Sequence, residues 1–204
     1  MVGRSILLGA VASAVMAAAA AQAFDTVVVD AGHGGSDRGG IPRQKIPEDE
    51  WTLKTALRVS TELKQRGFNV VMTRTADEYV SLAQRCRIAN SRKDSIFVSI
   101  HYDAYRREGA DGITAYYASS RSQRLARSIN SRMATALRPP TNRGAKRSRF
   151  YVIRNTLSPA VLVECGFLTN RAEARRIQTT EYQVSLAKAI ADGVVDYRKY
   201  RTGR

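Results

Sequence analysis

Short apolar runs alternate with longer stretches of helical periodicity along most of this chain. The runs at 27–29, 68–73, 96–100, 113–117, 151–153 and 161–163 have the length and the β-branched, aromatic content of strands. Between them, Trp51, Leu53, Leu57 and Leu63 recur at helical spacing, which predicts a helix over 47–66 closed by Gly67. Further helices are predicted over 80–91, over 125–137 where Pro139-Pro140 stops the pattern, and over 181–197. No internal repeat and no low-complexity linker interrupts this order.

Strands that alternate with helices predict an α/β fold: one domain with a mixed, mostly parallel sheet and helices on both faces. Ligands of such sheets bind outside the carboxyl ends of the strands. Three runs end there on a chemically competent side chain. TVVVDAGH (26–33) ends on His33, SIFVSIH (95–101) on His101, and PAVLVE (159–164) on Glu164. These are the only two histidines in the chain, so their matching positions are hard to assign to packing alone.

The first 23 residues change the picture of the chain's ends. Arg4 precedes an uncharged, alanine-rich stretch over 6–20, and Ala21-Gln22-Ala23 has the small-x-small form of a cleavage site. A cleaved export leader over 1–23 is therefore expected, with a mature domain over 24–204. The apolar stretch is short for a membrane span, and no other run is long enough, so no lasting membrane insertion is expected. The formal charge of +15 favours encounter with polyanions. Export argues against nucleic acid and points to an anionic extracellular or envelope surface, in the periplasm or cell envelope. Cys86 and Cys165 could pair in an exported chain or stay as buried thiols, and neither has the spacing of a cysteine metal site.

Two imidazoles at strand ends need a third ligand to make a metal centre. A catalytic zinc site takes three protein groups and keeps a fourth position open, and two histidines with one glutamate are such a set. Glu48, Asp49 and Glu50 open the first long helix and all three qualify, as each would also complement the helix dipole. Glu164 is then left for acid–base work, although it could instead be a ligand or pair with an arginine. Asp30 is expected to hydrogen-bond a ligand imidazole from behind, or simply to end its strand.

VVVDAGHGGSDRGG, the helix opening at Glu48, VVMTRTAD, LAQRCRIAN, FVSIHYDA, NRGAK, FYVIR and AVLVECGFLTN follow one another here. In that order they resemble the catalytic domain of the zinc-dependent N-acetylmuramoyl-L-alanine amidases of type 3, over about residues 25–199. The resemblance implies a six-stranded mixed sheet, one zinc ion held by His33, Glu48 and His101, and Glu164 as the catalytic glutamate. It also implies peptidoglycan as substrate, cut between the lactyl group of N-acetylmuramic acid and the first L-alanine of the stem peptide. Tyr102-Asp103 and Cys165 depart from the family pattern without removing a ligand. Tyr117 leads almost directly into the helix at Leu125, with no room for an autoinhibitory insertion, so an open site is expected. The basic stretch 138–154 offers Arg143, Arg147 and Arg149 as substrate-binding groups, and a monomer is expected. A zinc peptidase, a deacetylase or a non-catalytic wall-binding module are the competing assignments.

Overall fold

The computed structural model of the protein describes residues 24–41, 44–106 and 109–203; the expected leader over 1–23 lies outside them. The elements in chain order are β1 (Thr26–Ala31), α1 (Glu48–Gln65), β2 (Asn69–Met72), α2 (Leu82–Asn90), β3 (Ser95–Asp103) and β4 (Ile113–Tyr117). Then come α3 (Ser120–Leu137), β5 (Asn142–Arg147), α4 (Tyr151–Asn155), β6 (Ala160–Phe167), α5 (Arg171–Ile177) and α6 (Thr180–Thr202). The six strands form one sheet in the order β2-β1-β3-β6-β4-β5. All pairings are parallel except β4 with β6, so β1, β3 and β6 end at the same edge.

Strand alternation divides the core in two, because successive side chains point to opposite faces. Val27, Val29, Val98, Ile100, Val161 and Val163 face one way, against Val59 and Leu63 of α1, Ile129 and Met133 of α3, and Ile190 and Val194 of α6. Val28, Phe97 and Leu162 face the other way, against Cys86 and Ala89 of α2 and Val152 and Ile153 of α4. Helices α3 and α6 meet at Gly193, where a Cβ would lie 2.5 Å from the Cα of Ile129; only glycine permits so close a backbone approach. The α/β fold with helices on both faces is the one predicted.

Two elements differ from the sequence-based expectation. The run 151–153 is not a strand but the first three residues of the short helix α4, whose Val152 and Ile153 are both buried in the second core. A three-residue apolar run carries too little periodicity to separate the two states. The sixth strand is instead β5, NRGAKR, a half-exposed edge strand without an apolar signal. The short helix α5 was likewise not predicted. Cys86 and Cys165 are both buried free thiols, in the cores on opposite faces of the sheet.

Candidate metal centre

His33 stands two residues beyond β1, with a positive φ of 60°. That conformation is costly for a residue with a Cβ and persists only where the surroundings enforce it. Two buried arginines do so here. Arg85 donates to the carbonyls of Ala31 and His33 and to Asp30 Oδ1, while Arg74 donates to the carbonyls of Ala31, Gly32 and Asp49. Between them they hold the consecutive carbonyls that turn the chain off the end of β1 and tie that turn to the start of α1.

Glu48 opens α1 with its carboxylate turned into the turn just described. Oε2 accepts from the backbone N–H of Gly40 at 2.9 Å and lies 3.2 Å from His33 Nε2. Oε1 accepts from the N–H of Tyr102 at 3.0 Å and lies 3.0 Å from His101 Nδ1. The two imidazole rings stand 4.9 Å apart and nearly perpendicular. One ligand atom from each of His33, Glu48 and His101 falls within 4.8 Å of the other two. Of the three carboxylates at the helix start, Glu48 alone meets the histidines. Asp49 faces Arg38 at 3.4 Å, and Glu50 pairs with Lys54 on the surface.

On the far side of His33, Nδ1 donates to Asp37 Oδ2 at 2.8 Å. That bond fixes the ring tautomer and leaves Nε2 directed at Glu48, as a carboxylate behind a metal-ligating imidazole does. Burial opposes charge on His33, but the hydrogen bonds and charges of Glu48 and Asp37 outweigh it and raise its pKa to about 9. Burial would likewise push Glu48 up, but His101 and His33 hold it well below the usual carboxylate range.

Glu164 lies in β6 directly opposite His101 of β3. It is 9% exposed, and among the described residues its buried Oε2 has no hydrogen-bond partner. Burial first, and then the charges of Glu48 and Asp103, push its carboxyl well above the ordinary range. An orphaned buried carboxylate oxygen is expensive unless something absent from the polypeptide faces it. Two imidazole nitrogens, one carboxylate and a free carboxylate alongside are a donor set that fits a catalytic metal with an open position.

Other expected residues fall elsewhere. Asp30 does not hydrogen-bond an imidazole; it accepts from Thr73, Ser99 and Arg85 at 2.7, 2.7 and 2.6 Å, fully buried behind the loop. Sequence reasoning gave it the role that Asp37 fills, because a strand-end aspartate is more conspicuous than one in a glycine-rich loop. Arg143 donates to the Asp111 carbonyl and stacks on Phe167, close enough to Asp103 to oppose the rise that burial imposes on it. Arg147 instead ties its Nε to the Ala118 carbonyl, and Arg149 is exposed. Nothing in the sequence distinguishes the buried pair Arg74 and Arg85 from the rest of its 33 lysines and arginines.

The family pattern described as N-acetylmuramoyl-L-alanine amidase matches residues 27–196. The chain is 37% identical over 174 residues to the probable cell wall amidase LytH of Staphylococcus epidermidis, covering 84% of this chain and 58% of that one. It is 36% identical over 177 residues to the N-acetylmuramoyl-L-alanine amidase LytC of Bacillus subtilis, covering 85% of this chain and 35% of LytC. Both relatives are thus considerably longer than the region they share with it. The catalytic domain of the amidase CwlV from Bacillus (Paenibacillus) polymyxa var. colistinus superposes with a TM-score of 0.80 at 38% identity, covering 85% of this chain and 98% of that domain. With nearly its whole described length matched in both sequence and fold, this chain belongs to the N-acetylmuramoyl-L-alanine amidase family.

Proposed function

We propose that the protein is a zinc-dependent peptidoglycan amidase. It would hydrolyse the amide between the lactyl group of N-acetylmuramic acid and the L-alanine of the stem peptide. The observation that carries this is the convergence of His33, Glu48 and His101 beside the unpartnered Oε2 of Glu164. His33, Glu48 and His101 would hold the zinc ion, which when bound would supply Lewis acidity for the scissile carbonyl and the attacking water.

The chain's own residues do the rest. A cation held by the three ligands would counter the burial and the negative charges that raise the Glu164 carboxyl. Ionised, Glu164 takes a proton from the attacking water at Oε2 and delivers it to the alanine nitrogen as the C–N bond breaks, so the peptide leaves as a free amine. Its place on a strand, rather than a loop, fixes its distance from the ligands. Asp37 keeps His33 in the ligating tautomer, and the N–H groups of Gly40 and Tyr102 orient the Glu48 carboxylate.

The expected leader and the substrate support one another, because peptidoglycan lies outside the cytoplasmic membrane. We place the protein at the cell envelope, as a monomer whose positive charge meets wall anions rather than nucleic acid. No described helix is long and apolar enough to cross a membrane. Strand β4 passes into α3 through Ala118 and Ser119 alone, and this short connection supports a reading in which no autoinhibitory segment there covers the site and no activator is needed.

The test is digestion of purified sacculi by the protein over residues 24–204, with chelator and then with zinc restored. Release of intact stem peptides with free N-terminal alanine, lost with chelator and regained with zinc, is expected. Release of products with any other new end assigns a peptidase or deacetylase instead.

A further inference from the structure

A cleft of about 540 Å³ runs between three chain segments that follow β1, β3 and β6. One wall is the loop carrying Ile41 and Ile46, the second is Tyr105 and Arg106 after β3, and the third is Leu168 with the outer face of α5. The segments follow the carboxyl ends of β1, after which His33 stands, of β3, which carries His101, and of β6, which carries Glu164. A smaller hollow shares Ile41, Gln44 and Lys45 with the cleft and extends to Gly39 and Gly40. Gly40 donates to Glu48, and a Cβ on Gly39 would lie 2.6 Å from Glu48 Oε2 and 2.7 Å from His33. The two hollows therefore share one wall, and Gly39 and Gly40 of the smaller one pack against Glu48 and His33.

The charge of the cleft is one-sided. Among the described residues Lys45, Arg106, Arg171 and Arg175 line it, and none that lines it is acidic. Among the described residues none of these four cations has an ion-pair partner. Arg171 and Arg175 are four residues apart on α5, a spacing at which like charges face and repel each other unless an anion lies between them. The wall beneath them is fixed in advance: Thr169 Oγ1 accepts from Tyr105 N at 3.0 Å, and buried Glu173 accepts from the N–H groups of Phe167 and Gly112. A preformed wall lowers the ordering cost of binding.

Resting on the amidase assignment, we infer that this cleft holds the peptide half of the substrate and selects stem peptides whose carboxylates are free over those in which they are amidated. The two halves of the substrate differ in charge. The lactyl carboxyl is consumed in the scissile amide, which leaves the sugar side neutral there, whereas the stem peptide keeps the carboxylates of its second and third residues. Apolar Ile41, Ile46 and Leu168 suit the methyl and methylene groups between those anions. Guanidinium groups suit carboxylates because their paired N–H donors match the two oxygens.

The experiment is calorimetric titration of the zinc-loaded protein with L-Ala-γ-D-Glu-diaminopimelate and with the same tripeptide amidated at its carboxyls. The acidic peptide should bind at least tenfold more tightly, and raised salt should narrow the gap. Arg171→Glu with Arg175→Glu, both on an exposed face, should weaken the acidic peptide at least tenfold and collapse the discrimination. Circular dichroism and zinc content confirm that this variant is folded and loaded. Equal binding of both peptides, no binding of either, or an unaltered preference in the double variant overturns the inference. The sacculus digestion is read separately: continued release of alanine-ended peptides alongside any of those results leaves the amidase assignment standing and removes only the cleft's role.

Discussion

His101 and Glu164 sit directly opposite one another on the adjacent parallel strands β3 and β6. Residues in register on neighbouring strands project to the same face, so a metal-competent imidazole and a buried, unpartnered carboxylate are brought side by side by backbone pairing alone. Neither depends on loop conformation for that relationship.

Glu164→Gln follows as the cleanest test of the acid–base role. The amide is isosteric and removes the transferable proton without touching His33, Glu48 or His101. Zinc content and melting temperature should stay near those of the parent, while kcat on sacculi falls by about 10²–10⁴, the usual worth of a positioned general acid–base. Loss of zinc in this variant would make Glu164 a ligand rather than a proton carrier.

Glu48 and Glu50 are two residues apart and should behave oppositely. Glu48 accepts two backbone N–H bonds and faces both histidines, so Glu48→Ala should abolish stoichiometric zinc by elemental mass spectrometry. Glu50 pairs only with Lys54 at the surface, and Glu50→Ala should retain zinc and cost no more than about 0.5 kcal/mol of stability.

Asp37 tests how far the support behind a ligand matters. Removing the carboxylate behind a ligating imidazole typically costs about 10–100-fold in metal affinity. Asp37→Ala should therefore lower zinc affinity by that amount, with activity recovered at high zinc. An unchanged zinc affinity would mean that the bond between Asp37 and His33 does not hold the tautomer.

The strands that carry His33, His101 and Glu164 were legible because their apolar runs are long and bounded by turns. So was the edge at which they end, because parallel strands share one. Which carboxylate faces the histidines was not legible from spacing: Glu48, Asp49 and Glu50 occupy one helical turn, and in the fold Glu48 meets both imidazoles while Asp49 faces Arg38 and Glu50 faces Lys54. Strand β5 was hidden because an edge strand needs no apolar face to satisfy its hydrogen bonds, and NRGAKR reads as a charged loop. Arg74 and Arg85 were hidden for a related reason. A buried guanidinium satisfied by carbonyls leaves no mark in hydropathy that distinguishes it from a solvated one.

Asp30 and Arg85 make a specific prediction about acid stability. Burial would raise the Asp30 carboxyl, but the Arg85 charge and the hydrogen bonds of Ser99, Thr73 and Arg85 outweigh it and hold the pKa below its ordinary value. A group whose pKa is depressed on folding contributes stability that is present above its unfolded value, about 3.9, and lost as pH falls through the folded value. Unfolding followed by tryptophan fluorescence should therefore show a fall in stability below about pH 4 to which this pair contributes. In Asp30→Asn that part of the acid dependence should disappear, and stability at neutral pH should drop by about 3–5 kcal/mol because Arg85 is left buried and uncompensated.

Gly32 separates the geometry of the site from the stability of the fold. Its φ is not in the left-handed region, so alanine is allowed by the backbone, but a Cβ there would lie 2.5 Å from His101 Nε2 and still nearer the adjoining ring carbon. The imidazole ring must move, while its strand, held on both sides by β1 and β6, cannot. Gly32→Ala should accordingly lower zinc affinity and amidase activity at least tenfold while shifting the melting temperature of the zinc-free protein by only a few degrees, the equivalent of about 1 kcal/mol. A variant that binds zinc as tightly as the parent would show that the ring has room to relax and that the close approach of the β1 loop does not set the position of His101.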